Sequence, residues 1–311
     1  MAILVAADFD AEAWAAWWPH LKAALPGEQL VRNASACAPE TIEMAIVANP
    51  PPRALAGLPA LRLIQSLWAG VDGLLADASV PTDVPLARMV DPAMSASMAE
   101  TAVWAALSWQ RGFFSYAAQQ RKRHWQALAG RRAEDVRIAV LGLGQMGRCT
   151  AQALLRQGYR VSGWSRSGLP LEGVQTFSGQ AELSAVLAAA DVVINLLPLT
   201  PDTWEMFDAQ RLSQLPRGAC FVNVGRGAQL VEPALIAALD AGQLSHAVLD
   251  VFATEPLPRD HPFWTHPNIT VLPHVAAPTD ARSAARLAAE NIVALRAGRP
   301  LANLVDRRRG Y

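Results

Sequence analysis

The feature that most constrains this chain is the stretch "VRIAVLGLGQMGRCTAQALLRQGYRVSGWSRSG", which begins at residue 136. An apolar run, a glycine-rich turn, a helical period and a second apolar run follow one another without interruption. That order predicts a βαβ unit, whose parallel strands need a crossover helix and are buried on both faces. Four more apolar runs come after it: "ADVVINLLPLTPDT", "GACFVNVGRG", "HAVLDVFATEPLP" and "NITVLPHVAAPT". Each ends in polar residues, glycine or proline. In an open doubly wound sheet, ligands lie at the carboxyl ends of the strands, so these ends are expected to share one crevice.

Gly142, Gly144 and Gly147 stand in the GxGxxG spacing between the strand "RIAVL" and the helix "RCTAQALLRQG". In that context Gly142 allows the tight turn, Gly144 lets backbone approach a pyrophosphate, and Gly147 lets helix and strand pack closely. The helix N-terminus supplies amide hydrogens and positive potential to the phosphates. A dinucleotide is therefore the expected cofactor. The next strand, "YRVSGW", ends in Ser165, Arg166 and Ser167, where a binder of NAD would place a carboxylate on the ribose. One cation and two hydroxyls suit a 2′-phosphate and point to NADPH. Gln145 and Met146 in the loop, with Leu197 and Pro198 in "NLLPLT", complete the candidate cofactor contacts.

The first hundred residues alternate in the same manner, through "AILVAA", the Trp-rich "AEAWAAWWPHLKAAL", "MAIVANPPP" and "LRLIQSLWAGVD". A long helical pattern without proline covers residues 94 to 122, and a last helix is expected in "DARSAARLAAENIVALRAG". The reading is an α/β protein of two doubly wound open-sheet domains with a cleft between them. Residues 98–279 form a Rossmann dinucleotide-binding domain, and residues 1–97 with 280–311 form a smaller, discontinuous substrate domain. At 311 residues there is chain enough for two cores.

Charge narrows the partners. Lys plus Arg and Asp plus Glu balance at 27 each, which gives no reason to expect nucleic acid or an anionic membrane surface. The Arg run at 307 to 309 reads as a solvated or salt-bridged tail rather than a nucleic-acid patch. No apolar stretch reaches the roughly 18 residues of a membrane span. Cys37, Cys149 and Cys220 form no CxxC pair, so neither a disulfide framework nor a metal site is expected. "MAILVAADFD" reads as a first strand rather than a signal peptide, and the expected location is cytoplasmic.

Three strand ends carry chemistry. Arg226 stands between two glycines in "VNVGRG", a place where the backbone is expected to turn sharply and push the guanidinium into the crevice. Glu255 precedes Pro256, and His274 follows Pro273 nineteen residues later, enough for one loop and one strand, so the two can meet. Reducing a 2-keto acid needs a hydride for the carbonyl carbon, a proton for its oxygen and a cation for its carboxylate. A protonated imidazole is a natural donor, because its charge changes near neutral pH. A carboxylate beside an imidazolium stabilises it and raises its pKa. The planar fork of Arg226 suits a carboxylate and a keto oxygen together.

With "LWAGVDGLL", "GLGQMG", "WSRS", "INLLPLTPDT", "GRG", "LDVFATEPLP", "PHVAAPT" and the ending "VDRRRGY", the chain resembles the D-isomer-specific 2-hydroxyacid dehydrogenase family over nearly its whole length. Within that family it is similar to the branch that reduces glyoxylate to glycolate and hydroxypyruvate to D-glycerate. The resemblance implies that Arg226, Glu255 and His274 are the catalytic set and that Asp250 holds the nicotinamide amide. It also implies that backbone amides at Ala69 and Gly70 bind the substrate carboxylate when the cleft closes. Trp68 beside them either narrows the pocket or packs into the core.

The family also suggests a homodimer formed through the nucleotide domain, in which Trp125 either reaches toward the partner's cleft or is an ordinary surface or core tryptophan. Glu255 argues against formate dehydrogenases, and the chain length argues against long phosphoglycerate dehydrogenases. A reductase of another 2-keto acid and a non-catalytic dinucleotide-sensing protein stand as the other readings.

Overall fold

The computed structural model describes residues Met1 to Tyr311. In chain order its first elements are β1 (Ala2–Ala7), α1 (Ala11–Ala24), β2 (Gln29–Val31), β3 (Ile42–Ala48), β4 (Leu63–Ser66), α2 (Asp72–Ala76), β5 (Leu86–Ala87), α3 (Pro92–Gln110) and α4 (Phe113–Arg121). There follow β6 (Arg137–Leu141), α5 (Gln145–Arg156), β7 (Arg160–Trp164), β8 (Gln175–Phe177), α6 (Gly179–Ala189), β9 (Val192–Asn195), α7 (Ala209–Ser213) and β10 (Ala219–Asn223). The last are α8 (Glu232–Asp240), β11 (Leu244–Leu249), β12 (Ile269–Val271) and α9 (Ala281–Arg296). Two compact units result, Met1–Ala93 with Thr279–Tyr311, and Met94–Pro278.

The larger unit is built on a seven-stranded sheet in the order β12-β11-β10-β9-β6-β7-β8, with every pairing parallel. β6 lies between β9 and β7, so the winding reverses beside it, where doubly wound sheets bind ligands. The period of two in each strand sorts side chains between two cores. Ile138, Val140, Val192, Ile194, Val222 and Val248 face one, against Met98, Ala102 and Ala105 of α3 and Leu154 of α5. Ala139, Leu141, Val193, Phe221, Ala247 and Leu249 face the other, against Leu183 of α6, Leu212 of α7 and Leu235 of α8. Burial on both faces is the reason the strands are apolar without a break.

The smaller unit carries a five-stranded parallel sheet in the order β2-β1-β3-β4-β5. Ala2, Leu4 and Ala6 of β1 pack with Ala45, Val47, Ile64 and Leu86 in its core. Asp10 caps α1, and its carboxylate accepts the Ala13 N–H at 2.8 Å.

Two local expectations change. The helix expected over 94 to 122 is two helices, because Gly112 takes a left-handed conformation (φ +70°) and starts α4 anew. Strands β2, β5 and β8, of three, two and three residues, were not anticipated. No helix is long and apolar enough to cross a membrane.

Candidate active site

The turn after β6 explains its glycines one by one. Gly142 has φ +97°, and a Cβ there would stand 2.8 Å from the Leu196 carbonyl oxygen on the neighbouring β9 connection. A Cβ on Gly147 would come within 1.7 Å of the Gly142 carbonyl oxygen, so only glycine lets α5 sit this close to the turn. Gly144, by contrast, has nothing within 4 Å of where its Cβ would be, and it is the N-cap of α5 with no capping side chain. The first amides of α5 thus face an open, uncapped approach, the arrangement a pyrophosphate requires. Gln145 is exposed and Met146 half-buried at this same helix start, while Leu197 is buried and Pro198 half-buried beyond β9.

At the end of β7, Ser165 is buried and its hydroxyl accepts the Gly168 N–H at 3.2 Å, which shapes the turn. Arg166 and Ser167 are exposed on it. Arg148 of α5, which carried no signal in the sequence, donates to the Pro170 carbonyl at 3.1 Å and tethers the segment that presents Arg166.

His274 and Glu255 meet. The imidazole Nδ1 lies 2.7 Å from Glu255 Oε2, with the two side chains 53% and 35% exposed, so the pair is open to a ligand rather than sealed in a core. With Nδ1–H directed at the carboxylate, Nε2 is the nitrogen left to exchange a proton. The other carboxylate oxygen of Glu255 accepts the Phe252 N–H at 2.9 Å, which fixes the acid in place.

His274 has φ +56°, an unusual conformation for a residue with a side chain. Asp250 holds it there. The Asp250 carbonyl accepts the His274 N–H at 2.9 Å, and its carboxylate accepts the next two amides, of Val275 at 2.7 Å and Ala276 at 3.0 Å. Burial pushes the Asp250 carboxyl above the ordinary carboxylate range, with the negative Glu255 adding to it, while the two amides and His274 pull it down.

Arg226 is half-buried, and its Nη1 donates to the Gly225 carbonyl at 2.7 Å. The expected sharp turn is not at Arg226 itself, whose backbone is extended (φ −141°, ψ 143°). Its flanking glycines serve close approach instead. A Cβ on Gly225 would stand 2.8 Å from Gln229 Oε1 and 3.0 Å from Asn195 Nδ2, and one on Gly227 only 1.8 Å from the Phe252 backbone carbon. Since Phe252 N–H holds Glu255, the arginine loop and the glutamate loop are pressed together. The chain turns one step later, in the 3-10 turn Gly227–Gln229.

In the smaller unit, Ala69 and Gly70 follow β4 and are half-buried. The half-buried Trp68 has its ring against Trp17 at 5.7 Å and Phe9 at 6.3 Å. Trp125 is 99% exposed, which removes a core role. The residues missed by sequence reasoning are Asn195, Asn223 and Gln229, all fully buried around the Arg226 turn. The signal that would have found the first two is an asparagine closing an otherwise apolar strand, "VVIN" and "CFVN".

Comparison with known proteins shows the family. The family model for the D-isomer specific 2-hydroxyacid dehydrogenase NAD-binding domain matches residues 103–276. A glyoxylate/hydroxypyruvate reductase A from Serratia proteamaculans is 40% identical over 308 residues, 97% of each chain. Among solved structures, a D-isomer specific 2-hydroxyacid dehydrogenase from Xanthobacter autotrophicus Py2, in complex with NADPH and MES, is 41% identical. It superposes with a TM-score of 0.94 over 100% of this chain and 99% of that one. An NADPH-dependent glyoxylate/hydroxypyruvate reductase from Sinorhizobium meliloti, in complex with NADP and sulfate, is 35% identical with a TM-score of 0.93 over 100% and 99% of the two chains. The chain belongs to the D-isomer-specific 2-hydroxyacid dehydrogenase family and is an oxidoreductase of that class.

Proposed function

We propose that this protein is an NADPH-dependent reductase of small 2-keto acids, with glyoxylate and hydroxypyruvate as substrates. The observation that carries the reading is the contact of His274 with Glu255 at 2.7 Å, in a sheet whose glycine turn is shaped for a dinucleotide. Gly142, Gly144, Gln145, Met146 and Gly147 would cradle the pyrophosphate, Leu197 and Pro198 would add cofactor contacts, and Asp250 would hold the nicotinamide amide. Bound there, the cofactor supplies the hydride for the keto carbon. His274 Nε2–H gives its proton to the keto oxygen, and Glu255 stabilises the imidazolium until it does. Arg226 forks onto the substrate, and Ala69 and Gly70 keep their proposed role as amide donors to the carboxylate.

Arg166, with Ser165 and Ser167, selects the phosphorylated cofactor. A charge-assisted hydrogen bond is worth about 1.5 to 3 kcal/mol, and about 1.4 kcal/mol is tenfold. After solvent screening, Arg166 alone should favour NADPH over NADH by at least about tenfold. A homodimer through the larger unit is supported by the exposed Trp104, Phe113, Trp125 and Leu128 on α3, α4 and the segment after them. Large apolar side chains left exposed close together in sequence suit an interaction surface. Cytoplasmic operation is consistent with three free cysteines.

The test is initial-rate kinetics with glyoxylate, hydroxypyruvate, pyruvate and phenylpyruvate, each with NADPH and NADH, on the wild type and His274→Ala. The variant should lose about 10² to 10⁴ in rate and keep its NADPH affinity. A variant that retained half its activity would sink the proton-donor role. No turnover of any keto acid by the wild type would favour a dinucleotide-sensing protein.

A further inference from the structure

We infer that the buried amides Asn195, Asn223 and Gln229 are the positioning device for Arg226, and that they set the affinity for the keto acid. The inference rests on Arg226 being the substrate-binding residue. Each of the three side chains is 0% exposed, in the larger unit. Three primary amides without water are costly unless their donors and acceptors find partners.

Here the partners converge on one residue. Gln229 Oε1 accepts the Arg226 N–H at 3.0 Å, and Asn223 Nδ2 donates to the Arg226 carbonyl at 3.1 Å. Both backbone polar groups of Arg226 are thereby held by side chains. Asn195 ties those two side chains together, its Nδ2 donating to Asn223 Oδ1 at 2.9 Å and to Gln229 Oε1 at 2.7 Å. The remaining groups extend the frame to neighbouring backbone. Asn223 Oδ1 accepts Gly225 N–H at 3.2 Å, Asn195 Oδ1 accepts Leu197 N–H at 3.2 Å, and Gln229 Nε2 donates to the Leu197 and Pro198 carbonyls at 3.3 and 3.0 Å.

Apolar side chains of similar volume would leave the Arg226, Gly225 and Leu197 backbone groups without these partners, so the cluster contributes stability as any set of paired amides does. What the amides add beyond that is geometry. A guanidinium sits at the end of a long side chain, so a small rotation of its peptide plane displaces the fork by a large fraction of an ångström. An error of about 1 Å in a substrate-positioning group can cost about a hundredfold. The network is also continuous from the Leu197–Pro198 segment to Arg226, so one frame fixes both.

The experiment compares Gln229→Met, which keeps the volume and removes both the acceptor for the Arg226 N–H and the donor to the Leu197 and Pro198 carbonyls, with Gln229→Glu, whose neutral acid form, favoured by burial, keeps an acceptor for the one and an O–H for the others. Expected for the Met variant is a KM for glyoxylate raised by between about tenfold and a hundredfold, with NADPH affinity by fluorescence titration falling by much less, since the Leu197–Pro198 segment loses only its bonds from Gln229 Nε2. The Glu variant should recover most of the loss. In an Arg226→Ala background the Met substitution should have little further effect on kcat/KM, because a residue that acts through Arg226 has nothing left to position. Should Gln229→Met fail to fold, Asn223→Ser withdraws the donor to the Arg226 carbonyl and should raise KM in the same way.

Equal losses in KM, NADPH affinity and thermal stability, unrepaired by glutamate and additive with Arg226→Ala, would make the cluster a fold stabiliser and overturn the inference. Arg226→Lys separates the two levels. If that variant is as efficient as wild type, the reading of Arg226 itself is wrong. If it is impaired while Gln229→Met is not, only the positioning role fails.

Discussion

The two units open with the same device and use it differently. In each, a central parallel strand runs through a short turn into a helix, β1 into α1 and β6 into α5. At the N-cap, α1 has Asp10, whose carboxylate takes the Ala13 amide, and α5 has Gly144, which brings no side chain. Three residues on, α1 has Ala13 where α5 has Gly147. The first helix satisfies its own amides with an internal anion and closes the end. The second leaves amides and positive potential for an external one. Topology therefore does not decide which helix start is left open to an external anion. The identity of two residues in the turn does.

The largest effect expected from this contrast is at Gly147. A Cβ placed there stands 1.7 Å from the Gly142 carbonyl oxygen, which is backbone and cannot swing aside. Gly147→Ala should cost about 1 to 3 kcal/mol in stability as an overpacked site. It should also weaken NADPH binding by about a hundredfold or more, since a shift of about 1 Å in the cradle is enough. The mirror change, Ala13→Gly, should cost about 1 kcal/mol or less and leave NADPH titrations unchanged. Thermal melts with fluorescence titration check both. Wild-type NADPH affinity in Gly147→Ala would break the contrast at its root.

Acid should separate the two units as well. His246 on β11 is 7% exposed, its ring lies 3.9 Å from Phe114 in a parallel stack, and its Nε2 is 2.9 Å from Thr270 Oγ1. Burial, with help from nearby His266, lowers its pKa to about 4. The unfolded chain titrates near the ordinary value of about 6.5. Between those values the unfolded state binds the extra proton, so stability falls as pH drops below about 6.5 and the loss is complete near 4. At pH 5 this amounts to about 2 kcal/mol, carried by the larger unit alone. Hydrogen exchange at pH 5 should show β10 to β12 losing protection before β1 to β4, and His246→Phe should flatten the dependence of Tm between pH 7 and 5. Earlier loss of β1 to β4 would contradict it.

What was legible in the sequence divides along physical lines. The glycine turn was readable because its constraints are local: Gly142 needs its positive φ, and Gly147 lies only a few residues beyond the carbonyl it would strike. The apolar strands were readable because burial on both faces leaves an unbroken apolar run. The break at Gly112 was hidden because the helical period resumes beyond it, and one glycine inside a helical pattern does not announce a stop. Strands β2, β5 and β8 are too short to display any period. The amides of Asn195, Asn223 and Gln229 were hidden for another reason. Their partners are chosen by tertiary approach across three segments, and nothing local distinguishes a buried asparagine from one in an exposed turn. In the sequence the glycines beside Arg226 suggest a sharp bend, whereas close approach to Gln229 and Phe252 is what excludes a Cβ.

The smallest expected effect is the most direct test of the contrast, because it converts one turn into the other. Gly144 has extended backbone (φ −70°, ψ −168°) that any residue adopts, and open space lies where a side chain would go. Gly144→Asp should therefore fold, and with a carboxylate in position to cap α5 it should melt no lower than wild type, since a good N-cap is worth about 1 kcal/mol over a poor one and only a few tenths over glycine. The same carboxylate would occupy amides meant for the pyrophosphate and repel its charge. NADPH affinity should fall by about tenfold, about 1.4 kcal/mol, with the penalty shrinking as salt rises, because repulsion between exposed charges is screened. NADH should suffer similarly, as both cofactors share the pyrophosphate, which separates this effect from one at Arg166. The reciprocal Asp10→Gly should cost a few tenths of a kcal/mol and move neither cofactor's affinity. A Gly144→Asp protein that bound both cofactors as well as wild type would show that the α5 amides do not carry the phosphates, and that the difference between the two turns is one of packing alone.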